Sequence, residues 1–142
     1  MSQTVPAPDG WQEPRLLRLP SITGGRGRLV PADAGTGLPF TAARYFVLAD
    51  VPPGAVRGGH AQRRGWRLLS CVAGACSVET WRGRTSEVHR LSDPAEALYL
   101  PPWTWVEVRD FSPGAVVLVV CSEAHDEADQ VTDFEEFVAG PR

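Results

Sequence analysis

Trp66-Arg67-Leu68-Leu69-Ser70-Cys71-Val72-Ala73-Gly74-Ala75-Cys76-Ser77-Val78-Glu79-Thr80-Trp81 joins an apolar segment, a tight turn at Ala73-Gly74 and a strictly alternating segment. Alternation with period two is the pattern of a half-buried strand. The same grammar runs outward in both directions. Short segments rich in Val, Leu and aromatics occur at Leu29-Val30, Tyr45 to Leu48, Ser86 to Leu91, Ala97 to Leu100, Trp105 to Val108 and Ala115 to Cys121. Between them lie turn signals such as Gly35-Thr36-Gly37, Pro52-Pro53-Gly54, Gly58-Gly59, Asp93-Pro94, Pro101-Pro102 and Ser112-Pro113-Gly114. Strands punctuated about every 8–12 residues predict an all-β sandwich or barrel. Ala115 to Val120 is apolar throughout and reads as a strand buried on both sides. Only the acidic tail departs from this pattern. Val131, Phe134 and Phe137 recur there at helical or turn spacing, which predicts a short C-terminal helix docking two phenylalanines.

The 142 residues fit one domain. Residues 1–15 read as a flexible N-terminal leader and 16–142 as a single domain. With 43% hydrophobic and 22% charged residues the chain has ordinary globular composition. The net charge of −3 argues against a non-specific nucleic-acid binder. All 14 basic residues are arginine, so Schiff-base lysine chemistry and a phosphate-loop lysine are excluded. No apolar run approaches the roughly 18 residues of a membrane helix, and Met1 to Trp11 has neither a basic n-region nor an apolar h-region. A cytoplasmic protein without membrane or nucleic-acid partners is expected. Cys71, Cys76 and Cys121 fit a reducing compartment, although Cys71 and Cys76 flank the Ala73-Gly74 turn and can face one another across it.

Three histidines are present. His89 falls on a predicted exposed strand and His125 just before the acidic tail, so both read as structural or solvent-facing. His60 stands in Arg57-Gly58-Gly59-His60-Ala61-Gln62-Arg63, where two glycines allow a sharp bend. On a strand, His60 and Gln62 share a face. Arg57, Arg63, Arg64 and Arg67 crowd the same stretch, and neighbouring guanidiniums disfavour a charged imidazole. A neutral histidine beside anion-binding arginines suits proton abstraction from an anionic substrate. A turn histidine held by backbone hydrogen bonds is the alternative, and the residues alone leave both open. In Tyr99-Leu100-Pro101-Pro102-Trp103-Thr104-Trp105-Val106-Glu107, Trp103 and Trp105 alternate onto one face, either lining a pocket or filling the core. Glu107 is either an inward carboxylate or the partner of a nearby arginine. There is no G-x-S-x-G, phosphate loop or dinucleotide fingerprint, and no His/Cys/carboxylate spacing of a metal site.

Asp50-Val51-Pro52-Pro53-Gly54 followed by Arg57-Gly58-Gly59-His60-Ala61 resembles the dTDP-sugar 3,4-ketoisomerases, the WxcM-like group of small cupins. The resemblance extends through Leu68 to Gly74, Leu98-Tyr99-Leu100-Pro101-Pro102 with Trp105 and Glu107, Phe111-Ser112-Pro113, Asp126 to Asp129, and Asp133 to Phe137. Upstream, Gly25 to Leu29 and Leu38-Pro39-Phe40 also fit. It implies a cupin (RmlC-like) β-barrel or jelly roll and a homodimer with N-terminal strands exchanged between subunits. It also implies a nucleotide-linked 4-keto-6-deoxy sugar as substrate, and neither metal nor cofactor. A base takes the C3 proton, an enediol forms, and a proton returns at C4. The resemblance makes His60 the base and places Gln62 and Tyr99 beside it as catalytic candidates. Arg26, Arg44 and Arg57 fall on family arginines that hold diphosphate or carboxylates. Arg67, Trp105 and Glu107 complete the candidate substrate-binding set.

The chain departs from the family pattern at four places. The usual His-x-His is His60-Ala61-Gln62, and glutamine exchanges no proton at neutral pH. Phe46 stands near a usual tyrosine, Arg67 at a usual glutamine and Val106 at a usual polar residue. Metal cupins draw two histidines and a glutamate from one motif and a third histidine from another; only His60 stands at those places. The expected function is metal-independent 3,4-ketoisomerisation in deoxysugar biosynthesis. The departures leave open an isomerase, epimerase or cyclase of another carbonyl metabolite, or a non-catalytic small-molecule-binding cupin.

Overall fold

The computed structural model describes residues 11–35 and 37–141. The first ten residues of the expected leader lie outside them. Fourteen strands follow in chain order: β1 (Arg15–Arg18), β2 (Ile22–Gly24), β3 (Gly27–Leu29), β4 (Asp33–Ala34), β5 (Gly37–Leu38), β6 (Arg44–Leu48), β7 (Arg57–Gln62), β8 (Arg67–Ala73), β9 (Cys76–Arg82), β10 (Thr85–Leu91), β11 (Glu96–Leu100), β12 (Trp105–Arg109), β13 (Val116–Cys121) and β14 (Gln130–Val131). A 3-10 turn, Glu127–Asp129, precedes β14, and helix α1 (Phe134–Ala139) ends the chain.

The strands form two five-stranded sheets, ordered β1-β11-β8-β13-β6 and β10-β9-β12-β7-β14, plus two small two-stranded pairs. This is the all-β cupin-like architecture with a short C-terminal helix expected from the sequence. Its pairing leaves two facing sheets rather than one closed barrel. β8 and β9, on either side of the Ala73-Gly74 turn, belong to different sheets, so the turn carries the chain from one layer to the other.

Strand alternation sorts side chains into an inner and an outer set. The inner faces meet in one core that includes Leu69, Leu98, Val117 and Val119 from the first sheet and Val78, Val106 and Val108 from the second. The outer face of the first sheet is covered by the N-terminal segment, which joins Leu19 and Phe40 to Leu68, Ala97 and Tyr99. The outer face of the second sheet is covered by α1 and its neighbours, with Ala61, Trp105, Val131 and Phe137 buried together. Covering both faces explains why Ala97 to Leu100 is apolar at every position. In β13 the inner positions Val117, Val119 and Cys121 are buried, while Val116, Leu118 and Val120 are only partly covered.

The C-terminal helix begins where Asp133 accepts a hydrogen bond from the Glu135 amide, the usual use of aspartate at a helix start. Trp103 then stacks on Phe137 with ring centroids 6.1 Å apart and donates Nε1–H to the Phe137 carbonyl at 2.9 Å. Both tail phenylalanines dock as the spacing predicts. Cys71, Cys76 and Cys121 are free thiols, so the turn pair is not bridged. Burial pushes the Cys76 thiol up to about 12. Among the described residues no helix is long and apolar enough to cross a membrane.

Candidate active site

Strand register assembles one polar layer at an end of the sandwich. Val106 lies opposite His60 on one side and Thr80 on the other. In the facing sheet, Arg67 lies opposite Leu100 and Cys121, and Cys121 lies opposite Arg44. Thr80, Arg67, Cys121 and Arg44 are inner-face positions by alternation with a core residue two places along, and His60 is one by its pairing with the core residue Val106. The next layer is apolar, with Val78 and Val108 facing Leu69, Leu98, Val119 and Phe46. The site therefore has polar walls and an aliphatic floor.

His60 is aimed by its own strand. β7 pairs with β12 through a bulge between Val106 and Glu107, and Gly58 and Gly59 both hold positive φ, 91° and 81°. Only glycine adopts that conformation without strain. Burial lowers the His60 pKa from 6.5 to about 4, and the nearby Arg67 guanidinium adds to this. A hydrogen bond with the Gly58 backbone opposes the shift, and Arg44 contributes further lowering. His60 is thus a neutral imidazole at pH 7, as expected, but the responsible arginines are Arg67 and Arg44 rather than the whole local cluster. Arg63 is drawn off to Glu136 at 2.7 Å, and Arg64 to Asp126 at 3.1 Å. Arg57 is exposed at the start of β7.

Arg67 is only 2% exposed. Its Nη2 donates to the Thr104 carbonyl at 2.8 Å, while its Nε has no partner. Burial lowers its pKa to about 10, which leaves it charged at neutral pH. Arg44 donates from Nε to the Glu123 carbonyl at 3.3 Å and lies over the Phe46 ring. Neither arginine is within salt-bridge distance of a carboxylate among the described residues. The layer therefore combines a neutral base with two cations that form no salt bridge, Asp129 acting on Arg67 only through space. Such a site attracts an anion and favours negative charge that develops during reaction.

The remaining sequence candidates separate from this layer. Gln62 is on the same strand face as His60, but it is buried in the corner closed by Gly65 and Asp129. A methyl group on Gly65 would meet Gln62 Oε1 at 2.1 Å and Asp129 Oδ2 at 3.1 Å. Tyr99 points to the other face of β11. It is 0% exposed, packs edge-on against Trp11, and its hydroxyl donates to the Trp11 carbonyl at 2.8 Å. Trp105 and Glu107 lie on the outer face of β12. Trp105 packs on Phe134 and Phe137 and donates Nε1–H to Glu107 at 3.1 Å, and Glu107 pairs with Arg109. The tryptophans are therefore core residues under the helix, and Glu107 takes the salt-bridge role. Arg26 is exposed in the turn between β2 and β3. A hollow of about 590 Å³ lined by Trp11, Leu19, Leu38 and Phe40 opens on the outer side of the first sheet, away from His60.

Sequence reading missed three contributors. Cys121 and Thr80 enter the layer through register, which is not visible until the sheets are paired. The Thr104 carbonyl is a backbone group with no sequence signature. Among the described residues no three His, Cys, Asp or Glu side chains converge as a metal site would require.

A family model described as FdtA, WxcM-like, C-terminal, matches residues 12–141. The chain belongs to this WxcM-like family. A curated relative, the TDP-4-oxo-6-deoxy-alpha-D-glucose-3,4-oxoisomerase of Aneurinibacillus thermoaerophilus, is 30% identical over 125 residues, spanning 88% of this chain and 90% of its own. QdtA, a sugar 3,4-ketoisomerase of Thermoanaerobacterium thermosaccharolyticum solved with TDP, superposes with a TM-score of 0.87 at 26% identity, covering 91% and 94% of the two chains. A 3,4-ketoisomerase from Helicobacter canadensis also gives a TM-score of 0.87, at 27% identity and 90% and 96% coverage. These WxcM-like relatives agree with the resemblance carried by the motifs around His60, Leu98 to Pro102 and the acidic tail.

Proposed function

We propose that this WxcM-like protein is a TDP-sugar 3,4-ketoisomerase in which His60 is the base. One observation carries the reading: a neutral imidazole shares a layer with two guanidiniums that have no carboxylate partner. A 4-keto sugar has an acidified C3–H bond. The His60 lone pair takes that proton, the C3–H electrons form a C3=C4 bond, and the C4 carbonyl becomes an enediolate oxygen. After proton exchange between the two oxygens, the enediolate collapses to a C3 ketone and C4 takes a proton from the imidazolium. No oxidant or reductant is needed. Arg44 serves the diphosphate, with the exposed Arg57 and Arg26 as further contacts. Gln62 holds the β7 corner in place rather than moving a proton.

The reading includes a cytoplasmic homodimer. Its support is the β2–β3 hairpin, which stands out with Ile22 and Leu29 60% and 61% exposed. Soluble monomers seldom leave paired large apolar side chains so open. A partner's exchanged N-terminal strands would cover them.

A second reading has its own support. The layer contains no second histidine and, at Phe46, no tyrosine hydroxyl, so the proton exchange between oxygens lacks an evident carrier. Incubation with TDP-4-keto-6-deoxyglucose in deuterated water separates the two. Deuterium at C4 of a 3-keto product supports the isomerase. Exchange at C3 without product supports a base whose second transfer is lost. Neither exchange nor binding overturns both.

A further inference from the structure

We propose that Arg67 is a catalytic residue whose guanidinium, with Nε foremost, holds the enediolate oxygen that forms when His60 removes the C3 proton. This rests on the ketoisomerase reading above. Three observations carry it. Arg67 faces inward in the polar layer that also contains His60. It is 2% exposed, yet among the described residues its only side-chain hydrogen bond goes to the neutral Thr104 carbonyl. Its Nε is a buried donor without an acceptor.

A guanidinium buried without a counter-ion is costly. An unpaired N–H adds a further penalty. No carboxylate among the described residues lies within salt-bridge distance, and the buried Asp129 offsets the charge only through space and leaves Nε without an acceptor. Both costs are relieved when negative charge appears beside the guanidinium. The ground-state ketone has little charge to offer, whereas the enediolate oxygen has a full one. Arg67 therefore interacts more strongly with the intermediate than with the substrate, which is the condition for accelerating the chemical step. The charge balance is complete. Proton transfer creates an imidazolium and an enediolate together, and the fixed cation compensates the oxygen without itself giving up a proton.

Diphosphate binding is the competing role for a buried arginine, and kinetics distinguish the two. The experiment compares wild type, Arg67→Met and Arg67→Lys on TDP-4-keto-6-deoxyglucose, with TDP affinity measured by calorimetry. Met removes charge and donors while retaining length. The expected result is a kcat lowered roughly 10²–10³-fold, with TDP affinity within about threefold of wild type. Lys restores charge but not the planar donor set and is expected to recover part of the loss while remaining about tenfold or more below wild type. If Met collapses the interior, Lys alone carries the test. Wild-type kcat in either variant overturns the proposal. So does a loss confined to KM and TDP affinity, which would assign Arg67 to the diphosphate. Wild-type enzyme that binds TDP but neither exchanges nor isomerises the sugar overturns the ketoisomerase reading itself, and this proposal with it.

Discussion

Gly58 lies so close to Val106 that a methyl group at its Cβ position would sit 2.6 Å from the Val106 carbonyl oxygen. That oxygen is backbone in a neighbouring strand and cannot swing aside. The positive φ of Gly58 adds strain for any other residue. Gly58→Ala is expected to lower stability by about 2–4 kcal/mol. Urea unfolding checks it, and an unchanged midpoint contradicts the packing. Because the bulge aims His60, turnover is expected to fall more than stability alone explains.

The pH profile follows from the His60 pKa of about 4. The proposed base works only when unprotonated, so kcat/KM, which reports the free enzyme, is expected to be flat from about pH 5 upward. It falls only on the acid side, through about 4. An acid limb centred near 6.5, the ordinary histidine value, would show an imidazole that is solvated and remote from Arg67.

The same shift has a stability consequence of defined sign. The folded pKa lies below the unfolded one, so the unfolded chain binds more protons between pH 6.5 and about 4. His60 therefore costs stability increasingly as the pH falls through that window, up to roughly 3 kcal/mol. His60→Asn lacks this penalty. Its stability relative to wild type is expected to rise between neutral pH and pH 4, measured by denaturant unfolding at each pH. A pH-independent difference contradicts the burial of the imidazole.

Phe137 is buried under Trp103 and Trp105 and closes the outer face of the second sheet. Phe137→Ala is expected to cost about 3–5 kcal/mol. Calorimetric melting measures this, and a loss below about 1 kcal/mol would mean that the helix is dispensable to the sandwich.

Asp129 is buried beside the β7–β8 connection and accepts the Arg64 amide at 2.7 Å. Asp129→Ala strands that amide and is expected to cost about 1–3 kcal/mol. Asp129→Asn retains an acceptor and should recover part of the loss. Equal losses in the two variants would place the effect in the carboxylate charge instead.

Much of this was legible in the residues. Alternation in Ser77 to Trp81 and the even spacing of turns give the all-β architecture, because strand periodicity is local. The Gly58-Gly59-His60 bend likewise declares itself, since paired glycines before a polar residue report a backbone need. Tyr99 and Trp105 show where sequence stops. Both lie in apolar runs whose two faces serve different cores, and nothing local says which face looks toward His60. Arg67, Arg44 and Cys121 come together only through pairing between strands distant in sequence. Arg63 and Arg64 mislead for the complementary reason: nearness in sequence to His60 is overridden by carboxylates of the distant tail.

The aliphatic floor beneath the polar layer has a consequence for traffic. A ligand that reaches His60 meets a dead end and must back out by the way it came. On the ketoisomerase reading proposed above, the sugar enters head first and the nucleotide trails at the threshold. Recognition of the base is then a matter for the rim, while Arg44 meets the diphosphate in the polar layer and the fate of the sugar carbons is decided beside it. The two tasks occupy separate residues, so a change of nucleotide preference at the rim need not disturb the chemistry below it.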